Sequence, residues 1–467
     1  MIRPLLLSLL LATGLPATAS EPVSLPDCTA QPQVCLNSLE ELTVPGLRQR
    51  SYGSSYRIVA PYPAGDGRSA FTLGYQSDGM ALYSRLDLPT SPTPSSGYPL
   101  IVMAPGWVSR KDAVDWDFGG NGDSQYARLI RSWTDNGFAV LVAGYRGRGT
   151  IGGIAADGTA FRDAWGNGSY LSPMFYAIDV LNLIAGLDKL TELEWQQWLV
   201  DGQHPPTFNL DRISLWGHSQ GGDVALTTLA VAGGNPGYPR LIHAASIWSG
   251  NIPERFTQAD TFGAMASSLQ AFMSGDGSWT GTATGRDGSV NPDFVFGWPA
   301  DWIGTVDPAS PEWTWQAETW TSPNVAAARQ LKYREMYDAL NRYARDFGDA
   351  DFTLTRDAAG RSVIQHDPRV AQLMPGVGGY NFHRNIRAPL ALQISDRDYY
   401  SMPAWNHDLA QRINAAGGQA RVYVYPGTTH SLQVSEHRWF SPEGTVSAVP
   451  AALARDLQLF TSGRLAN

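Results

Sequence analysis

Six short apolar runs, each closed off by turn residues, punctuate this chain: Leu100–Ala104, Phe138–Ala143, Arg212–Trp216, His243–Trp248, Leu390–Ile394 and Arg421–Tyr425. Runs of that length with few polar members suit strands covered on both faces. Segments of helical spacing lie between most of them, at 124–136, 175–187, 220–232 and 404–416. Strands and helices in alternation predict an α/β fold: a mostly parallel central sheet with helices on both faces. Ahead of these runs, Ala70–Tyr75 and Met80–Leu88 flank Ser77-Asp78-Gly79 and read as a hairpin.

The alternation breaks between residues 251 and 387. No core strand is evident there, but six of the 16 tryptophans are: Trp279, Trp298, Trp302, Trp313, Trp315 and Trp320. A helix is predicted from Pro323 to Phe347, with Ser322 as its N-cap. This stretch reads as a mainly helical, Trp-rich cap inserted between two halves of the core, 70–250 and 388–467. A chain of 467 residues has room for both.

The run Asp211-Arg212-Ile213-Ser214-Leu215-Trp216 leads straight into Gly217-His218-Ser219-Gln220-Gly221, and a helix follows. Strand, G-x-S-x-G and helix together are the context of a nucleophile elbow. Ser219 would sit on a strained turn at a helix N-terminus, where developing negative charge is favoured. Gly217 and Gly221 would let the neighbouring backbone come close. A serine hydroxyl needs a base, and a late strand ending in Tyr425-Pro426-Gly427-Thr428-Thr429-His430 supplies one in His430. Of the other seven histidines, His218 lies inside the elbow and is expected to point away from the serine's partner. An imidazole base needs a carboxylate to hold its tautomer. Asp396 and Asp398 both follow the strand Leu390–Ile394, and Asp398, a few residues beyond it, is the choice. For the oxyanion hole, the strand Leu100–Ala104 runs into Pro105-Gly106-Trp107; the backbone N–H groups of Trp107 and Gln220 are the candidates. Arg146 in Tyr145-Arg146-Gly147 is expected to pair with an acid. The loop 115–123 carries acids at alternate positions but lacks the bidentate Glu of a calcium loop, so no metal and no cofactor are expected.

With these residues in view, the chain resembles an α/β-hydrolase of the prolyl oligopeptidase-like group. The resemblance rests on Asp78-Gly79, Tyr145-Arg146-Gly147, the stretch from Asp211 to Gly222, Ser395-Asp396-Arg397-Asp398 and Tyr425 to His430, and covers residues 70–250 and 385–435. It implies the α/β-hydrolase fold and a metal-free serine esterase or peptidase using Ser219, Asp398 and His430. Two departures stand out. Pro105-Gly106 takes the place of the family's His-Gly before the oxyanion residue. Only residues 20–69 lie between the N-terminal leader and the hairpin, too few for the β-propeller of the large peptidases.

That leader is MIRPLLLSLLLATGLPATAS. Arg3, the apolar run Leu5–Leu15 and Ala17-Thr18-Ala19 predict a secretory signal peptide over 1–19, and so a periplasmic or secreted protein. Cys28 and Cys35 follow it closely and are expected to form a disulfide in the segment 20–69. A formal charge of -9 gives no electrostatic basis for binding nucleic acid, and no later run is long enough to span a membrane. The expected partner is a small-molecule or polymeric ester. Peptides or amides are the alternative substrate, and a polymer-degrading esterase with tryptophans as a stacking platform is another reading. A binding protein on a dead hydrolase fold is the rival outside enzymology; such proteins usually lose a triad member.

Overall fold

The computed structural model describes residues 28, 32–64, 68–107, 125–166, 168–199, 204–262, 321, 323–395, 398, 400–425, 430–434 and 446–466. The signal segment, Asp396, the loop 115–123, Ser322 and the six cap tryptophans lie outside those residues.

Nine strands form one sheet. They are β1 (Tyr56–Pro61), β2 (Ala70–Ser77), β3 (Met80–Asp87), β4 (Tyr98–Ala104), β5 (Ala139–Ala143), β6 (Phe208–His218), β7 (Ala244–Trp248), β8 (Leu390–Ser395) and β9 (Ala420–Tyr425). Their spatial order is β1-β2-β3-β5-β4-β6-β7-β8-β9. β1, β2, β3 and β5 pair antiparallel in turn, and every pair from β5 through β4 to β9 is parallel. The exchange of β4 and β5, the antiparallel first strands and the parallel remainder are the order of the α/β-hydrolase fold. The hairpin expected around Asp78-Gly79 is the β2–β3 turn. β1 is an addition: a half-exposed edge strand whose short run Ile58-Val59-Ala60 closes on Pro61, a residue that sheets confine to their edges.

The apolar runs work as anticipated because alternate residues feed opposite faces. In β4, Leu100, Val102 and Ala104 join one hydrophobic core while Ile101 and Met103 join the other. Helix α1 (Gln125–Asp135) and helix α6 (Val449–Ser462) cover the second face, with Trp133, Leu459 and Phe460 in its core. Helices α2 (Ser172–Ala185), α3 (Gln220–Ala232) and α5 (Pro403–Ala415) cover the first. All fourteen residues of α2 are buried, so it reads as apolar all round rather than striped. α5 opens on Pro403 at its first position, and the chain leaves it through Gly417 at φ +83°.

Between β7 and β8 the described chain adds nothing to this sheet. It supplies a helix at 255–262, helix α4 (Pro323–Tyr343), a hairpin from Thr353–Arg356 and Ser362–Gln365, and short helical turns. Its root is tied to the core by a fully buried ion pair, Arg255 Nη2 to Asp223 Oδ1 at 2.6 Å, on the first turns of α3. The N-terminal segment binds both parts. Leu36 pairs with Ala344 just after α4, and Thr43 with Val377. The Arg48 guanidinium donates to the carbonyls of Ala230, Val231 and Gly233 at the C-terminal end of α3, where a cation suits the helix dipole. Cys28 and Cys35 form a disulfide with Cα atoms 5.9 Å apart.

Candidate active site

The turn from β6 to α3 carries Ser219 at φ 57°, ψ −123°, a conformation that a non-glycine residue rarely adopts. Surrounding bonds hold it there. Ser219 N–H donates to Trp248 C=O at 3.1 Å, and its own C=O accepts from Gly222 and Asn251 N–H. The flanking glycines answer to space. A Cβ on Gly217 would stand 2.3 Å from Gly221 O, and one on Gly221 would stand 2.0 Å from Ala104 O. Closeness at Gly221 brings the end of β4 against the elbow. As a result Gly106 lies beside the serine: a Cβ there would be 3.2 Å from Ser219 Cβ. Trp107, next in line, is half-exposed, while Gln220 opens α3, where the N–H groups have no acceptor further back in the helix.

Asp398 follows β8 and is fully buried, and His430 follows β9 and is 2% exposed. Asp398 Oδ2 and His430 Nδ1 are 2.6 Å apart. Tyr400 N–H donates to the other oxygen, Oδ1, at 2.9 Å. A carboxylate can only accept, so Nδ1 of His430 carries the proton and Nε2 is the basic nitrogen. The structure therefore brings Asp398 and His430 into contact and sets the serine elbow and the 105–107 turn against each other.

His218 departs from expectation. It is buried, but it does not turn away from the serine's partner. Its ring lies 5.1 Å from that of His430, and its Nε2 is 3.1 Å from His430 C=O. Nδ1 is 2.8 Å from Tyr126 Oη. Since a carbonyl only accepts, Nε2 carries the proton and Tyr126 donates to Nδ1. Burial, with His430 close by, pushes this imidazole down to about 3 from its ordinary 6.5. An unfolded chain binds the extra proton between those values, so acid lowers stability across that window. The melting temperature of the wild type is expected to fall faster than that of His218→Gln from pH 6.5 to 4.5, by about 1 kcal/mol of stability per pH unit, and to run parallel above pH 7. Parallel profiles throughout would show that the buried ring does not carry this linkage.

Arg146 pairs as expected: its buried guanidinium contacts Asp179 at 2.6 Å and Asp78 at 3.0 Å. Tyr145 is wholly buried and so does not line a surface pocket. Among the described residues no group of three or more His, Cys, Asp or Glu side chains is arranged to hold a metal ion, and no helix is long and apolar enough to cross a membrane.

No protein-family model matches the chain, and no curated protein matches it in sequence. Solved structures do resemble it. An acetyl xylan esterase from Paenibacillus sp. R4 is 14% identical, with a TM-score of 0.45 over 90% of this chain and 98% of that one. Acetyl xylan esterase 1 from Thermoanaerobacterium sp. JW/SL YS485 is 10% identical, with a TM-score of 0.43 over 93% and 98%. Dipeptidyl peptidase 4 of Porphyromonas gingivalis is 12% identical, with a TM-score of 0.41 over 88% of this chain and 36% of its own.

Proposed function

We propose that this protein is a serine hydrolase that cleaves carboxylic esters through an acyl-enzyme intermediate. The observation that carries the reading is the buried 2.6 Å contact between His430 Nδ1 and Asp398 Oδ2, in a fold that presents Ser219 on a strained strand-to-helix turn. In this reading His430 Nε2 takes the Ser219 hydroxyl proton as Oγ attacks the ester carbonyl, while Asp398 stabilises the imidazolium. The N–H groups of Trp107 and Gln220 receive the oxyanion. Collapse of the tetrahedral intermediate expels the alcohol, which takes the proton from His430. Water, deprotonated by the same nitrogen, then attacks the acyl group and releases the acid and Ser219.

Among the described residues, the acids at the root of the insertion favour esters over peptides. An aminopeptidase needs carboxylates facing the substrate amine. Glu254 instead accepts from the N–H groups of Phe256 and Thr257, and Asp260 pairs with Arg329 at 2.5 Å. The leader 1–19 and the Cys28–Cys35 disulfide support export.

The test is a panel of p-nitrophenyl esters of graded acyl length beside aminoacyl p-nitroanilides, with fluorophosphonate labelling mapped by mass spectrometry. Ester turnover with little anilide turnover, and a label on the peptide that holds Ser219, are expected. Anilide turnover alone would make the protein a peptidase. A label elsewhere would remove Ser219 from the mechanism.

A further inference from the structure

Two tyrosine hydroxyls grip one peptide unit at the end of β4. Tyr145 Oη donates to Pro105 C=O at 3.0 Å, and Gly106 N–H donates to Tyr126 Oη at 2.9 Å. That C=O and that N–H belong to the same peptide group, which is planar, so the group is held at both poles. Gly106 would otherwise swing freely. The grip has two consequences. It commits Gly106 N–H to the protein, removing it from the donors a substrate oxygen can use. It also fixes the plane from which the next amide, Trp107 N–H, projects; among the described residues that N–H has no hydrogen-bond partner.

Both tyrosines are built in rather than draped over the turn. Tyr145 is fully buried and stacks on Tyr176, rings 4.7 Å apart and 7° from parallel. Tyr126 is buried edge-on against Trp216 and His218. Burial pushes both phenols well above their ordinary value, so they stay protonated. Tyr126 uses its lone pair for Gly106 and its proton for His218 Nδ1, and His218 Nε2–H goes on to His430 C=O. One chain of hydrogen bonds thus runs from the turn after β4, through α1 and the elbow, to the backbone of His430.

We propose that Tyr126 and Tyr145 are positioning residues of the oxyanion turn, and that the Tyr126–His218 link sets that turn and the His430 backbone in one frame. This rests on the serine hydrolase reading above. Neither tyrosine touches substrate; both act by aiming Trp107 N–H.

The experiment compares wild type with Tyr126→Phe and Tyr145→Phe. Tyr75→Phe is the control, since it removes an equally buried hydroxyl that donates to Gly144 C=O, outside this chain of bonds. Losing an oxyanion donor costs about 10²–10³-fold in kcat, and misaiming one costs less. Each clamp variant is expected to lose about 10-fold in kcat on p-nitrophenyl acetate with KM within twofold. Affinity for an arylboronic acid should fall by the same factor, while Tyr75→Phe changes neither. Hydrogen exchange at the Gly106 amide should quicken in Tyr126→Phe. The proposal is overturned if folded clamp variants keep kcat within twofold, if the loss lies in KM, or if Tyr75→Phe loses as much. A wild type that turns over no ester and takes no label would end the hydrolase reading and the catalytic role with it. The exchange measurement judges the clamp itself without needing activity, and unchanged exchange in Tyr126→Phe overturns it.

Discussion

Ser219→Ala is expected to lower kcat for p-nitrophenyl ester hydrolysis by about 10⁶-fold, and His430→Ala added to it should lower kcat no further. In the proposed mechanism the two side chains act as one device. Without Oγ there is no acyl-enzyme to form, so a base has nothing to deprotonate on the attacking side. Without the imidazole the hydroxyl keeps its proton and attacks poorly. Whatever rate remains comes from binding and the oxyanion donors, which neither substitution removes. The geometry makes Ser219→Ala a clean test. Ser219 is held by its backbone, through Trp248 C=O and the N–H groups of Gly222 and Asn251, and alanine preserves every one of those bonds. The variant should therefore melt close to wild type. Single-turnover and steady-state rates check this; a variant within 100-fold of wild type would end the case for Ser219.

The second large effect concerns Asp398→Asn, expected to cost about 10⁴-fold in kcat with little change in KM. The reason is local and specific. Tyr400 N–H donates to one side-chain oxygen of Asp398 at 2.9 Å. In the amide, the remaining oxygen must stay with that donor, because an N–H facing an N–H would leave both unsatisfied. The amide NH₂ then faces His430 Nδ1, which must accept and so lose its proton. The tautomer inverts, Nε2 carries the hydrogen, and no basic nitrogen remains for Ser219. The side chain keeps its shape, so the fully buried site should stay packed. A folded variant with kcat within tenfold of wild type would show that Asp398 does not set the tautomer.

The elbow is legible in sequence because its requirements are local. Strand, strained serine and close-approach glycines occupy consecutive positions, and each leaves a residue type behind. The parallel strands are legible for a related reason: cover on both faces forces a run of apolar residues. Asp398 is chosen by its place after a strand rather than by any motif. β1 is missed because its run, Ile58-Val59-Ala60, is short and ends in Pro61, which speaks against a strand. The link from Gly106 through Tyr126 and His218 to His430 leaves no trace in sequence. Its members are brought together across 20, 92 and 212 positions, and Tyr126, which joins the other three, alone reads as an ordinary core residue.

The N-terminal segment sets an order on assembly. Arg48 needs carbonyls 182 to 185 positions downstream, and Ser38 needs Asp346, 308 positions away. Domains generally fold as units. Here the earliest described stretch completes its docking only when residues as distant as Val377, which pairs with Thr43, are in place. Closing so long a loop is slow because chain entropy must be given up first. The far end of α3 is thus sealed by a side chain 182 to 185 positions ahead of it, a contact that carries a high loop-closure cost.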